Sequence, residues 1–137
     1  MAENRPVRLT PLETLVMDCM WEMQEATVRQ VQQRLNEDHK DRAYNTVLTV
    51  MRILRDKGYL QSRREGRSDV YWPEVSRTQA ARRPLRELLE RFFAGSAEAL
   101  VSQLLSTGEL DEEEIRAIRE EVDQKLREEA TRGGPEE

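Results

Sequence analysis

Few folds accommodate a sequence that switches its period as abruptly as this one does at Gly58. Upstream, "AYNTVLTVMRILRDKGYL", from Ala43 to Leu60, repeats at helical spacing. At about 100° per residue, Asn45, Thr49, Arg52 and Asp56 fall within one narrow arc, while Ala43, Val47, Val50, Met51 and Leu54 lie opposite. Gly58 can adopt the left-handed conformation that ends a helix. Downstream, two short extended runs, Tyr59 to Arg64 and Asp69 to Trp72, flank "EGRS", where Gly66 supplies the freedom a hairpin turn needs and Pro73 closes the second run. An amphipathic helix delivered directly into a tight hairpin is the element pair to be placed.

Two further helices precede it. In "TPLETLVMDCMWEM", Thr10 can cap, Pro11 takes the first helical position, Glu13 completes a capping box, and Leu12, Leu15, Val16, Cys19 and Met20 form an inner stripe. A second, short helix opens at Thr27, with Gln30 in the reciprocal capping position and Val28, Val31 and Leu35 facing inward. The polar run "NEDHKDR" then reads as a connecting loop. Three helices followed by a two-stranded ribbon is the order of a winged helix-turn-helix, and the expected class is mainly α with a small β-hairpin wing. In that arrangement the third helix enters the major groove of a DNA duplex and the hairpin lies along the adjacent backbone. The polar face then acquires a purpose. Asn45 can pair with adenine, Thr49 can touch a thymine methyl or hydrogen-bond, and Arg52 can pair with guanine or a phosphate. Tyr44 and Thr46 flank the first turn and are expected to contact backbone phosphates. A merely solvated face would ordinarily carry Glu and Lys rather than such short, readable side chains.

Net charge is −5, which taken alone argues against a nucleic acid partner, but the charge is unevenly distributed. Residues 1–75 hold 12 basic and 12 acidic side chains, whereas residues 76–137 hold 10 against 15. Between residues 42 and 67, seven basic side chains face only Asp56 and Glu65, a local surplus of five. Screening confines the relevant field to roughly 8–10 Å, so a cationic patch on an acidic chain can still bind phosphates. Arg63, Arg64 and Arg67 concentrate at the hairpin tip, where no core would require them.

The expected domains are a DNA-binding domain over residues 1–75, a helical dimerisation domain over 76–130 and a disordered tail over 131–137. After Ser76, Leu85, Leu88, Leu89, Phe92 and Phe93 form an apolar stripe, and Pro84 should kink that helix or mark its effective start. Gly95 and Ser96 break the run before Ala97, Leu100, Val101, Leu104 and Leu105. Asp111 caps a last segment, in which Glu112, Glu113 and Glu114 complement the helix dipole and Ile115, Ile118, Val122 and Leu126 recur at helical spacing. Short amphipathic segments of this kind cannot bury themselves, so a symmetric homodimer through Leu88, Phe92, Leu100, Val101, Leu104, Ile118 and Val122 is expected, with fold-back onto the first domain as the alternative.

Other chemistries find little support. Cys19 is the sole cysteine, which excludes an internal disulfide and a thiolate cluster, and the lone His39 sits in a polar run. Neither a glycine-rich phosphate loop nor a nucleophile–base pair appears, so no cofactor, metal or enzymatic activity is expected. No apolar run approaches the length of a membrane span and the opening "MAENRPVRLT" lacks the apolar core of a secretory signal, so a cytoplasmic protein without membrane insertion is expected.

The blocks "LTPLETLVMDCMWE", "ATVRQVQQRL", "AYNTVLTVMRILRDKGYL" and "REGRSDVYWPEVSR" resemble successive segments of the penicillinase-repressor family of bacterial transcription regulators, the BlaI/MecI type. "FFAGSAEALVSQLL" and "LDEEEIRAIREEV" resemble its C-terminal dimerisation segments, so the likeness runs from about Leu9 to Leu126. It implies a dimeric repressor on a palindromic operator, lifted when a membrane-bound sensor metalloprotease detects a β-lactam and the repressor is cut. By position it implies helix contacts at Tyr44, Asn45, Thr46, Thr49 and Arg52, wing contacts at Arg64 and Arg67, and a scissile bond at Gln103–Leu104. The residues flanking that bond differ from the Asn–Phe pair familiar in well-known members. The alternative is a winged-helix adaptor that turns the same face to a protein.

Overall fold

A computed structural model describes residues 8–133. Along the chain it contains α1 (Pro11–Met23), β1 (Ala26–Thr27), α2 (Val28–Asp38), α3 (Tyr44–Asp56), β2 (Leu60–Glu65), β3 (Ser68–Pro73), α4 (Arg77–Phe93), α5 (Ala97–Ser106) and α6 (Glu112–Arg132). The chain divides into two compact units between Pro84 and Leu85, within α4, where the sequence had suggested a boundary after residue 75.

The first unit is a winged helix-turn-helix. Both anticipated caps are present: Thr10 and Glu13 form a reciprocal capping box on α1, and Thr27 and Gln30 form another on α2. The hairpin pairs antiparallel from Leu60↔Pro73 to Glu65↔Ser68, leaving Gly66 and Arg67 as a two-residue turn. Gly66 has φ 64°, the left-handed geometry required at the first central position of a type II′ turn. A third strand was not anticipated. β1 is only two residues long, and it pairs antiparallel with β3 through Ala26↔Tyr71 and Thr27↔Val70, giving the sheet order β1-β3-β2.

The core of this unit lies between the three helices and the inner face of the sheet. Val16, Met17, Met20, Val31, Leu35, Val47, Met51, Leu54, Leu60 and Tyr71 are essentially inaccessible. Each such aliphatic side chain stabilises the fold by about 2 kcal/mol through burial. Leu12 and Leu15, expected within the α1 stripe, only flank this cluster, and Met17 fills the centre instead. Ala43, expected on the buried arc of the third helix, is its exposed N-cap. The polar run after Leu35 contributes Asn36, Glu37 and Asp38 to α2, with His39 as C-cap, because Arg34 bonds Asp38 one turn on at 2.6 Å and neutralises the acidic last turn.

Among the described residues, one charged side chain enters the core. Glu13 is 5% exposed, and its Oε1 accepts from Lys57 Nζ at 2.7 Å and from the Thr10 amide at 2.9 Å. Burial pushes its carboxyl up, but the hydrogen bonds from Lys57 and Thr10 outweigh that and hold it below the usual carboxylate range. The pair joins the start of α1 to the end of α3, and so fixes how the third helix is carried. At the other end of α1, Trp21 Nε1 donates to the Val75 carbonyl at 2.8 Å. Arg77 bonds Asp18 at 2.8 Å and lies 4.8 Å from the Trp21 ring centroid, which fastens the first turn of α4 to this unit.

The second unit has the expected punctuation. Ser96 caps α5 after Gly95, whose φ is 80°, and Asp111 forms a capping box with Glu114 on α6. Pro84 neither starts nor ends its helix: α4 begins seven residues upstream at Arg77 and runs past it, because Ser76 and Gln79 cap the helix reciprocally. The expected disordered tail is also shortened. Thr131 and Arg132 belong to α6, which Gly133 caps, and the rest of that expectation concerns residues 134–137, outside the described part. No helix among the described residues is long and apolar enough to cross a membrane.

Candidate nucleic-acid interface

Core packing decides which face α3 presents. Val47, Val50, Met51 and Leu54 are buried, so Asn45, Thr49, Arg52 and Asp56 necessarily emerge on the opposite side, and all four are exposed. Tyr44 and Thr46, in the first turn, are exposed as well. Among the described residues, the side chains of Asn45, Thr46, Thr49 and Arg52 make no hydrogen bond or ion pair. A helix face furnished with exposed amide, hydroxyl and guanidinium groups that no protein side chain engages is suited to a polar partner.

The hairpin is less uniformly cationic than its sequence implies. Arg63 Nη1 donates to Glu25 Oε2 at 2.8 Å, and its Nε and Nη2 both donate to Glu65 Oε2, at 3.1 and 2.9 Å. The Glu25 hydrogen bond, followed by that from Glu65, raises its pKa and holds the guanidinium charged and clamped. It also lies 5.4 Å from the Trp72 ring centroid. Arg64 is engaged more loosely, donating to the Gly66 carbonyl at 3.2 Å and approaching Asp69 at 3.4 Å. Arg67, at the turn, makes no such contact among the described residues. The hairpin therefore offers one unencumbered cation at its tip, one weakly held beside it and one quenched by two carboxylates.

The same sorting extends to the helices. Arg34 is surrounded by Glu22, Glu37 and Asp38 and is a strut between α1 and α2. Arg55 donates to Ser62 Oγ at 3.0 Å and lies 5.9 Å from the Tyr71 centroid, bracing α3 against β2 and β3. Arg29, absent from the expected contacts, projects from the first turn of α2 and lies 5.4 Å from the Tyr44 ring centroid. A signal for it existed in the sequence: it is an arginine two residues beyond a helix cap, where a cation opposes the helix dipole and has no local reason to be.

The residues expected to dimerise lie on three helices of the second unit. Leu88 and Phe92 are on α4, Leu100, Val101 and Leu104 on α5, and Ile118 and Val122 on α6. None is buried, and Phe92 is 68% exposed. Gln103 and Leu104 sit in the second half of α5, and the Gln103 carbonyl accepts from the Thr107 amide at 3.0 Å and from Ser106 Oγ at 3.2 Å.

Comparison with known proteins brings these features together. The chain is 40% identical over 73 residues to the transcriptional regulator BlaI of two Mycobacterium tuberculosis strains, H37Rv and CDC 1551, a match covering 53% of this chain and 52% of the relative. It thus spans about half the length of the curated relatives it matches. Among solved structures, the solution structure of the DNA-binding domain of the repressor BlaI aligns with TM-score 0.47 and 25% identity, covering 52% of this chain and 85% of that one. The crystal structure of AbfR of Staphylococcus epidermidis aligns with TM-score 0.44 and 20% identity, covering 88% and 73%. The penicillinase repressor family model matches residues 9–124, through both units, and the chain belongs to that family.

Proposed function

We propose that this protein is a homodimeric transcriptional repressor that binds a palindromic operator, with α3 in the major groove and the hairpin along the neighbouring backbone. The observation that carries the proposal is the outward face of α3, where Asn45, Thr49 and Arg52 stand exposed and unpartnered among the described residues while the opposite face is locked into the core. Family membership and the name of the curated relatives, transcriptional regulator, support the same reading. Asn45, Thr49 and Arg52 read base edges; Tyr44, Thr46, Arg64 and Arg67 hold phosphates.

Dimerisation is supported by the exposed apolar side chains of the second unit, which a second copy related by a two-fold axis would cover. Release follows proteolysis or another signal linked to β-lactam or cell-wall stress; in the proteolytic route a membrane-bound sensor metalloprotease cuts at Gln103–Leu104. Because that bond lies in α5 and its carbonyl is hydrogen-bonded, the helix must open locally before a protease can engage it.

The test is a fluorescence-anisotropy titration of duplexes recovered by binding-site selection from the protein's own upstream region, repeated across a range of salt. Affinity should fall linearly with the logarithm of salt concentration, and the selected sites should show two-fold symmetry. Binding indifferent to salt, or no enrichment of any sequence, would overturn the proposal and favour a protein partner for the same face.

A further inference from the structure

Resting on the DNA-binding reading above, we propose that Arg29 and Tyr44 form a composite phosphate clamp, extending the DNA interface from α3 onto the first turn of α2. Three observations converge on it. The Arg29 guanidinium carbon lies 5.4 Å from the Tyr44 ring centroid, within the range of a cation–π contact. Both residues are exposed, and among the described residues Arg29 has no carboxylate partner. That distinguishes it from Arg34 on the same helix and from Arg63 on the hairpin, each held by at least two acidic side chains.

The position is electrostatically unusual. Arg29 is the second residue of α2, after the Thr27 cap, so its cation adds to the partial positive charge of the helix N-terminus rather than offsetting it. Such a placement disfavours the free protein slightly and favours any anion brought to it. The contact with the Tyr44 ring holds the guanidinium nearby without consuming its N–H donors, so its planar edge stays available for two parallel bonds to phosphate oxygens. The Tyr44 hydroxyl, at the start of α3, can donate to the same or the adjacent phosphate. The clamp therefore spans the junction of the two helices of the turn and is blind to base identity.

Arg29→Ala, Arg29→Lys and Tyr44→Ala, with the double variant Arg29→Ala/Tyr44→Ala, test this by anisotropy on both a selected duplex and a random-sequence duplex. Circular dichroism melting of each variant verifies the fold. Arg29→Ala should weaken binding to both duplexes by a similar factor, roughly tenfold, and reduce the salt slope by about one unit. Arg29→Lys keeps the charge but loses the planar fork, so it should recover the salt slope and only part of the affinity. The double variant should lose less than the product of the two single losses. An unchanged affinity and slope in Arg29→Ala, with wild-type binding salt-dependent, would overturn the clamp and leave the DNA-binding reading standing. Salt-independent wild-type binding would remove both. A loss confined to the selected duplex would also overturn the clamp, by making Arg29 a base reader.

Discussion

The two units use the same raw material and arrive at opposite outcomes. In both, apolar residues recur at helical spacing and the helices are well capped, yet the first encloses a core built on Met17, Met51, Leu54 and Tyr71 while α5 and α6 contain no buried residue. The difference lies in what surrounds the helices. α1, α2 and α3 pack on one another and on a sheet that seals the open side, whereas the second unit has only helices among its described residues. Amphipathic periodicity thus reports that a face must be covered and is silent about the source of the cover.

The largest effect that tests this contrast is expected from Leu100→Asp. On the proposed dimeric reading, a charge on the uncovered face should yield monomers and lower operator affinity by a factor on the order of a hundred or more, because two linked half-sites would be replaced by one. Sedimentation showing a persistent dimer would relocate the interface. Next comes a matched pair of truncations. Leu54→Ala in the closed core should destabilise the first unit by about 2–5 kcal/mol at any protein concentration. Leu126→Ala, at a residue 62% exposed, should cost little in dilute solution and more as concentration rises, if a second copy covers it. Equal, concentration-independent losses at the two sites would erase the distinction between the units.

Glu13→Gln should destabilise by about 1–3 kcal/mol at neutral pH, read by denaturant unfolding. Because the folded carboxyl titrates below its usual value near 4.5, its contribution is complete above that value and is lost as pH falls through the folded one. The gap between wild type and variant should therefore close on acidification. The smallest effects separate the wing from the helix: Arg67→Ala should weaken all duplexes similarly, by about tenfold, whereas Asn45→Ala or Thr49→Ala should relax sequence preference. The reverse ranking in a selection experiment would exchange their roles.

Much of this was legible because it is local. The capping residues Thr10, Thr27, Ser96 and Asp111, the stop at Gly58 and the turn at Gly66 are each set by side chains within a few positions of one another. What escaped reading depends on distant partners. β1 exists only because Tyr71 and Val70 lie opposite Ala26 and Thr27, and two residues carry no period of their own. Arg63 stands as a free cation in the local sequence, but Glu25, far upstream, pairs with it. Glu13 was read as half of a capping box, which it is, but its second role with Lys57 joins residues 44 positions apart. The outward face of α3 was legible for a different reason: an amphipathic helix with a known buried arc leaves its other arc no choice.

Thr27 holds two posts at once. It is the strand residue opposite Val70 and the N-cap that receives the Gln30 amide at 3.2 Å. The hairpin stem and the start of the turn's leading helix are consequently one mechanical linkage, and a push on the ribbon displaces that helix terminus too. A label attached near the tip would register events at that helix terminus, several residues removed from it.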